Sequence, residues 1–290
     1  MHKTVLLKTA IDYLNVQPNN WYVDATFGAG GHTGEILSRG GKVLALDIDD
    51  QAIQAGQVKF LNEIRDTRLI LVRENFSQLE RILSSNLEYL ISGILFDFGT
   101  STDQLMSDDR GFSFDSDSEL DMRMDDRLGV KAKDLLAVLN GPQLMDMFWE
   151  MGGEEQSRRI AKTIVDVRQK QPITTARQLA NLVTQIKGGR HGHLHPATKV
   201  FQALRIVVNG ELDAIKDGLP QAIEILQPGG RLVTIAFHEG EDRIVKHLME
   251  AWEQEHLGEK ITKKPIQPDE TELSANPRSR SAKLRVFEKK

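Results

Sequence analysis

The chain has 290 residues, a formal net charge of −5 and no cysteine. Apolar residues make up 40% and charged residues 27%, the balance of a soluble globular protein with material for a large core. This composition excludes disulfides and any thiolate nucleophile. No apolar run approaches the ~18 residues of a membrane span, and MHKTVLLKTAIDYL at the N-terminus lacks a signal-peptide core, so the cytoplasm is expected.

In chain order, Trp21–Thr26, Lys42–Asp47, Arg68–Arg73 and Gly93–Phe98 read as strands. Helical stretches near Thr33–Ser38, Gln51–Arg65 and Ser77–Tyr89 separate them. This alternation predicts an α/β fold with an open, mostly parallel sheet, whose ligands sit at the carboxyl ends of the strands. The first strand runs into a turn holding Gly28, Gly30 and Gly31, and a helix begins at His32. A helix N-terminus behind a bare turn gathers free N–H groups and suits a nucleotide-like ligand. Asp47 ends the second strand, where an acid can accept hydrogen bonds from the two hydroxyls of a ribose. Gly28-x-Gly30-x-x-Thr33 lacks the third small residue of a dinucleotide fingerprint, so these residues alone leave a nicotinamide enzyme open. Asp97 ends the fourth strand, where it can hold an amine or act as a base.

After Asp97 the rhythm breaks. Ser101 to Asp126 is polar, acidic and turn-rich, with Arg110, Arg123 and Arg127 interleaved as partners for its acids rather than a calcium-loop spacing. Val130 to about Leu182 reads as helical, Ile186–His195 as a loop, and Ala197–Ile215 as one amphipathic helix. His191, His193 and His195 alternate in that basic loop, which suits phosphate contact or exposure better than a metal, and no metal is expected. The sheet rhythm returns with a helix ending near Leu226, the turn Pro228-Gly229-Gly230 and the strand Arg231–Phe237. A discontinuous core of residues 1–104 and 206–290 with a helical insertion at 105–205 follows from this pattern. Gly258 to Pro277 reads as loop with one short strand, and Leu284–Phe287 as a final strand.

Charge is uneven. Val167 to Gly210 holds no acid but contains Lys187, Arg190, Lys199 and Arg205, and the last fifteen residues carry Arg278 and Arg280 among six cations. Two basic stretches in an otherwise acidic chain point to a polyanion partner. His238 stands at the carboxyl end of the fifth strand and heads the charged run Glu239-Gly240-Glu241-Asp242-Arg243.

Several separated segments, DATFGAGGH, RGFSF, LDMRMD, HPATKVFQALRIVVNGEL, PGGRLV, FHEGEDRIVK and NPRSRSAKLR, resemble the bacterial ribosomal RNA small-subunit methyltransferase H family, in order and over nearly the whole chain. The resemblance implies a class I S-adenosylmethionine-dependent methyltransferase, Rossmann-like, acting on N4 of a cytidine in 16S ribosomal RNA. It places cofactor contacts at Gly30, Gly31, His32, Asp47, Phe76, Asp97 and Gln104, with Gly28 in the same turn. Three segments depart from the family's usual wording: DFGTSTDQ after the fourth strand, Ser118-Glu119 before LDMRMD, and AFHEGEDRIVK at the fifth strand.

The absent thiol bears on chemistry, because methylation of cytosine carbon 5 uses a thiolate, whereas an exocyclic amine needs only alignment and a dry site. Asp97 and His238 are the expected catalytic residues. Lys187, Arg190, Lys199 and Arg205 in the insertion, with Arg278 and Arg280, are the expected contacts to ribosomal RNA or the small ribosomal subunit. A homodimer stays open. So do a same-fold RNA methyltransferase with another target nucleotide and a non-catalytic ribosome-assembly factor.

Overall fold

The computed structural model describes residues 3–86, 90–99, 110–189 and 195–290. Gln104, Arg190, His191 and His193 lie outside the described residues. The chain divides into two compact units, residues 1–99 with 212–290, and residues 100–211.

The first unit holds a sheet of seven strands: β1 (Trp21–Asp24), β2 (Lys42–Asp47), β3 (Leu69–Arg73), β4 (Ile91–Asp97), β5 (Leu226–Ala236), β6 (Gly258–Lys260) and β7 (Lys283–Lys289). Their order is β3-β2-β1-β4-β5-β7-β6. β1 to β5 pair in parallel, and β7 lies antiparallel between β5 and β6. The order reverses direction at β1 and β4, the place where open α/β sheets seat ligands. Strand periodicity builds a core on each face: Leu44 and Leu46 join Val23, Ile94 and Phe96, whereas Val43 and Ala45 join Tyr22, Leu95 and Val233. Apolar residues in both registers are what a strand buried on two faces requires.

Three sequence expectations change in this unit. The stretch Gln51–Arg65 forms two helices, α3 (Asp50–Lys59) and α4 (Leu61–Arg65), broken at Phe60. That ring is buried edge-on against Phe27 with centroids 6.1 Å apart, so the break seats an aromatic under the glycine turn. Pro228-Gly229-Gly230 lies inside β5 rather than before it. The pairing passes from Ile91↔Leu226 to Gly93↔Arg231, which loops the extra residues out as a bulge, with Gly229 at φ +76°. The polar stretch after residue 258 contains both β6 and a short helix, Glu270–Ala275.

The second unit contains helices Ala132–Val138, Gly141–Glu150, Ser157–Arg168, Ala176–Lys187 and Thr198–Asn209. The expected single helix Ala197–Ile215 is two, because Gly210 adopts φ +60° and caps Thr198–Asn209 before Glu211–Ile225 begins. Leu144, Phe148, Ile160, Ile164, Val183 and Leu204 are buried at helical spacing in this unit. The LDMRMD loop satisfies its charges locally. Arg123 forks onto Asp121 at 2.7 and 2.8 Å, and Arg127 onto Asp125 at 2.9 and 2.7 Å. Burial pushes the Asp121 carboxyl up, but Arg123 outweighs it and holds the group below its usual range. The Asn209 side chain donates to Met122 O at 2.8 Å and accepts from Met124 N at 2.7 Å, which secures Met122 at φ +62°. No helix among the described residues is long and apolar enough to cross a membrane.

Candidate active site

The carboxyl ends of β1, β2 and β4 bring together Asp24, the glycine turn, Asp47 and Asp97. The turn is held from several sides. Gly28 N donates to Asp47 Oδ2 at 2.7 Å, and Lys59 Nζ donates to Ala29 O at 2.8 Å. Helix α2 (Gly31–Ser38) starts behind Gly30, which sits at φ +72°. Any Cβ on Gly31 would lie 1.8 Å from Thr4 Oγ1, so only glycine lets the chain pass there.

Asp47 accepts from Gly28 N through one oxygen and from Asp49 N, at 2.9 Å, through the other. Burial pushes its carboxyl up to about 6 against the pull of those two N–H groups. Each oxygen retains a second lone pair. Asp24 is fully buried, takes the Thr33 hydroxyl at 2.6 Å, and is pushed up by burial, with His32 and Thr33 acting in the opposite sense.

His32 is 3% exposed. Its Nε2 stands 3.4 Å from Asp97 Oδ2. Neither ring nitrogen makes a hydrogen bond, and Asp97 Oδ1 is also buried without one. Asp97 N donates to Thr26 Oγ1 at 2.7 Å, which fixes the end of β4 against β1. The sequence marked His32 and Asp97 separately; the fold pairs them.

Phe76 begins a short 3₁₀ turn after β3 and meets Phe96 edge-on at 5.3 Å and Phe98 at 6.0 Å. Gly218 allows the helix Glu211–Ile225 to approach, since a Cβ there would lie 2.8 Å from the Phe76 ring. His238 is the N-cap of α12, the helix Glu239–Gln254, and its Nδ1 accepts from Gly240 N and Glu241 N at 3.2 and 3.4 Å. Its Nε2 lies 3.0 Å from Glu241 Oε1 without the alignment of a hydrogen bond. The same helix start is pinned to β7 by Arg285, which forks onto buried Asp242 at 2.7 and 3.1 Å. Burial raises the Asp242 carboxyl, and Arg285 with Lys283 overcomes this and holds it low.

The expected RNA contacts divide by environment. Lys187 donates to Glu154, a buried acid, at 2.7 Å, and Arg205 forks onto Glu211 at 2.8 Å through both nitrogens. Lys199 donates to Gly153 O at 2.8 Å. Arg278 and Arg280 are exposed on the turn Pro277–Ser281, on either side of buried Ser279. The sequence reading passed over a second group. Arg158, Arg159 and Lys162 are exposed on one helix, Ser157–Arg168, and the preceding helix carries Trp149 at 58% exposure. The signal was present in the apolar spacing of Ile160, Ala161 and Ile164, which sends these cations to solvent.

The strand order 3-2-1-4-5-7-6 with an antiparallel seventh strand is that of class I methyltransferases. Residues 1–290 match the MraW methylase family. Among curated relatives, the ribosomal RNA small subunit methyltransferase H of Thermomicrobium roseum is 42% identical over 99% of this chain and 93% of its own length. The proteins of the same name from Afipia carboxidovorans and Coprothermobacter proteolyticus are each 41% identical, over 99% of this chain and 90% and 96% of theirs. Full-length coverage at this identity settles the assignment: the chain belongs to the MraW methylase family and is an S-adenosylmethionine-dependent methyltransferase.

Proposed function

We propose that the chain methylates the exocyclic N4 of a cytidine in small-subunit ribosomal RNA. The observation that carries this is the Asp97 carboxylate at the end of β4, 21% exposed beside the glycine turn and suited to accept from an amine. The names of the relatives support ribosomal RNA as the substrate.

The residues fit the cofactor. Gly28 at φ +52°, with Gly30 and Gly31, where a Cβ would meet Phe27, Phe60 or Thr4, and the backbone of His32 form a bare turn suited to the amino-acid part of S-adenosylmethionine. Asp47 keeps one lone pair per oxygen for two ribose hydroxyls, and Phe76 gives an aromatic wall for the adenine. When bound, S-adenosylmethionine supplies an electrophilic methyl group on a sulfonium. Asp97 turns and holds the acceptor amine, then takes the proton that the nitrogen sheds as its new bond forms. His238 caps α12 and faces the end of β5, where it helps to close the site. A chain without cysteine has no thiolate for attack on carbon 6, which favours the amine over carbon 5.

For the RNA, exposed Arg158, Arg159 and Lys162 in the insertion and Arg278 and Arg280 near the C-terminus are suited to phosphates, and Lys199 is half-exposed beside them in role. Lys187 and Arg205 act by holding their helices through Glu154 and Glu211. A cytidine in helical RNA must leave its stack to be methylated.

A nucleotide-level methylation map of small-subunit ribosomal RNA from a strain lacking the gene tests the proposal. Loss of one N4-methylcytidine is expected. Loss of a different modified nucleotide would favour the same fold acting on another target. An unchanged map, with no tritium passing from labelled cofactor to isolated subunits, would favour an assembly factor.

A further inference from the structure

A turn built on Gly28, Gly30 and Gly31 gives a ligand close access, but glycine loses more backbone freedom on ordering than any other residue. Such a turn binds tightly only if its neighbours hold it in the binding shape beforehand. The demand is greatest where the turn enters α2. That helix has no side-chain cap, and its first backbone bond runs from Gly34 N to Gly30 O at 3.0 Å. Among the described residues, the N–H groups of Gly31, His32 and Thr33 are left for a ligand. Asp47 and Lys59 hold Gly28 and Ala29, and the rings of Phe27 and Phe60 take the space of a Gly30 side chain. At Gly31 that space is taken by Thr4, whose Cβ and Cγ2 lie 2.9 and 3.2 Å from where a Gly31 Cβ would stand. Thr4 belongs to a strained segment: Leu6, two residues on, sits at φ +50°, ψ 30°, a left-handed conformation that a bulky side chain rarely adopts. Two C-terminal side chains hold this segment. Leu6 N donates to Glu272 Oε1 at 3.3 Å, and buried Asn276 donates Nδ2 to Lys3 O at 3.1 Å. Ile266 and Leu284 exchange two backbone bonds of 2.8 Å, which anchors the start of that C-terminal stretch to β7.

We infer that Glu272 and Asn276 are positioning residues for S-adenosylmethionine: they clamp residues 3–6 so that Thr4 braces Gly31 and keeps the first turn of α2 in its binding shape. This rests on the glycine turn being the cofactor seat, and holds whichever nucleotide is methylated. The two side chains act through Thr4 rather than on the reacting atoms. Their hydrogen bonds join residues 266 and 273 positions apart, so the cofactor seat is complete only when the C-terminal stretch is docked on the N-terminal segment. Without the brace, α2 keeps its donors but must order them as the cofactor binds. The cost then falls on affinity and not on the transfer step once the cofactor is saturating.

The test is calorimetric titration of the full chain with S-adenosylhomocysteine, the cofactor after it has lost its methyl group. Glu272→Ala, Asn276→Ala and Thr4→Gly should each weaken binding on the order of tenfold. Glu272→Gln keeps an acceptor oxygen and Thr4→Val keeps the shape of the brace, so both should stay within about twofold of the parent. Amide exchange of the ligand-free chain separates a local effect from general loosening. In Glu272→Ala the Gly34 amide should exchange faster while amides of β4 and β5 keep their protection. At saturating cofactor, the single-turnover rate on small subunits should match the parent's. Affinity unchanged in Glu272→Ala and Asn276→Ala would overturn the inference, as would an equal loss in Glu272→Gln. Faster exchange throughout β4 and β5 would show a general role in stability and defeat it too, as would a lower rate at saturating cofactor. Gly31→Ala keeps the two readings apart. Binding unaffected there would remove the turn as the cofactor seat, whereas binding weakened there and not in the clamp variants would reject the clamp alone. A parent that leaves small subunits unmethylated counts against the proposed substrate only, because affinity and exchange are read without RNA.

Discussion

The acids of the second unit and those at the ends of β1, β2 and β4 are treated in opposite ways. In the second unit, Asp121 and Asp125 each face an arginine two residues away, and Glu119 is paired with both Lys131 and Lys133. Glu154, among the most buried acids of that unit, is matched by Lys187. At the sheet edge of the core, by contrast, His32 and Asp97 retain buried atoms with no hydrogen bond, and Asp47 has its carboxyl lifted to about 6. Polar groups that close on one another build structure. Those left open at the ends of β1, β2 and β4 keep their capacity for a ligand. A chain can be rich in acids in both places, and the state of their partners tells the two apart.

The sharpest way to break this contrast is at Asp97. Asp97→Asn should reduce single-turnover methyl transfer by roughly 10²–10⁴-fold with the melting temperature little changed, because the residue acts on substrate rather than on the fold. A parallel drop in stability would place Asp97 with the structural acids. Gly31→Ala comes next. The added methyl collides with Thr4, so a loss of about 1–3 kcal/mol in chemical denaturation and weaker cofactor binding by calorimetry are expected.

Asp47 offers a pH test. The raised carboxyl means that the native chain holds this proton more tightly than the unfolded one, so its ionisation is a cost to the fold as pH climbs through about 6. Ribose hydroxyls need the ionised form as acceptor. Cofactor affinity should therefore fall up to tenfold per unit as pH drops below about 6, and Asp47→Ala should lack that dependence while binding weakly at every pH. The smallest expected effect is on the exposed face of the helix Ser157–Arg168. Replacing Arg158, Arg159 and Lys162 by alanine should leave cofactor binding intact and lower the salt dependence of RNA binding by about 0.7–0.9 per lost phosphate contact. An unchanged salt slope would remove this helix from the RNA interface.

The pattern of the glycine turn and Asp47 was readable because its logic is local: a strand, a bare turn, a helix, and an acid at the next strand's end. The arginine partners of the acidic loop were readable for the same reason, since Asp121–Arg123 and Asp125–Arg127 are two-residue contacts. The acid-free window misled in one respect. It presented Lys187 and Arg205 as available cations, yet Glu154, well before the window, and Glu211, directly after it, close on them in space. Gly210 was passed over as a helix break because the apolar spacing runs on through it, although its φ of +60° ends one helix before the next begins.

The alternation that makes a parallel sheet, the turn that admits a cofactor, the family-wide motifs and the exclusion of thiolate chemistry are all legible in the chain before it folds. These depend on local propensity, periodicity and composition. That His32 lies beside Asp97, that Asp47 binds the turn it faces, and which cations are already paired emerge only once the chain is folded. Those facts arise from residues brought together across the sheet, where burial strips away water and makes the presence or absence of one partner decisive.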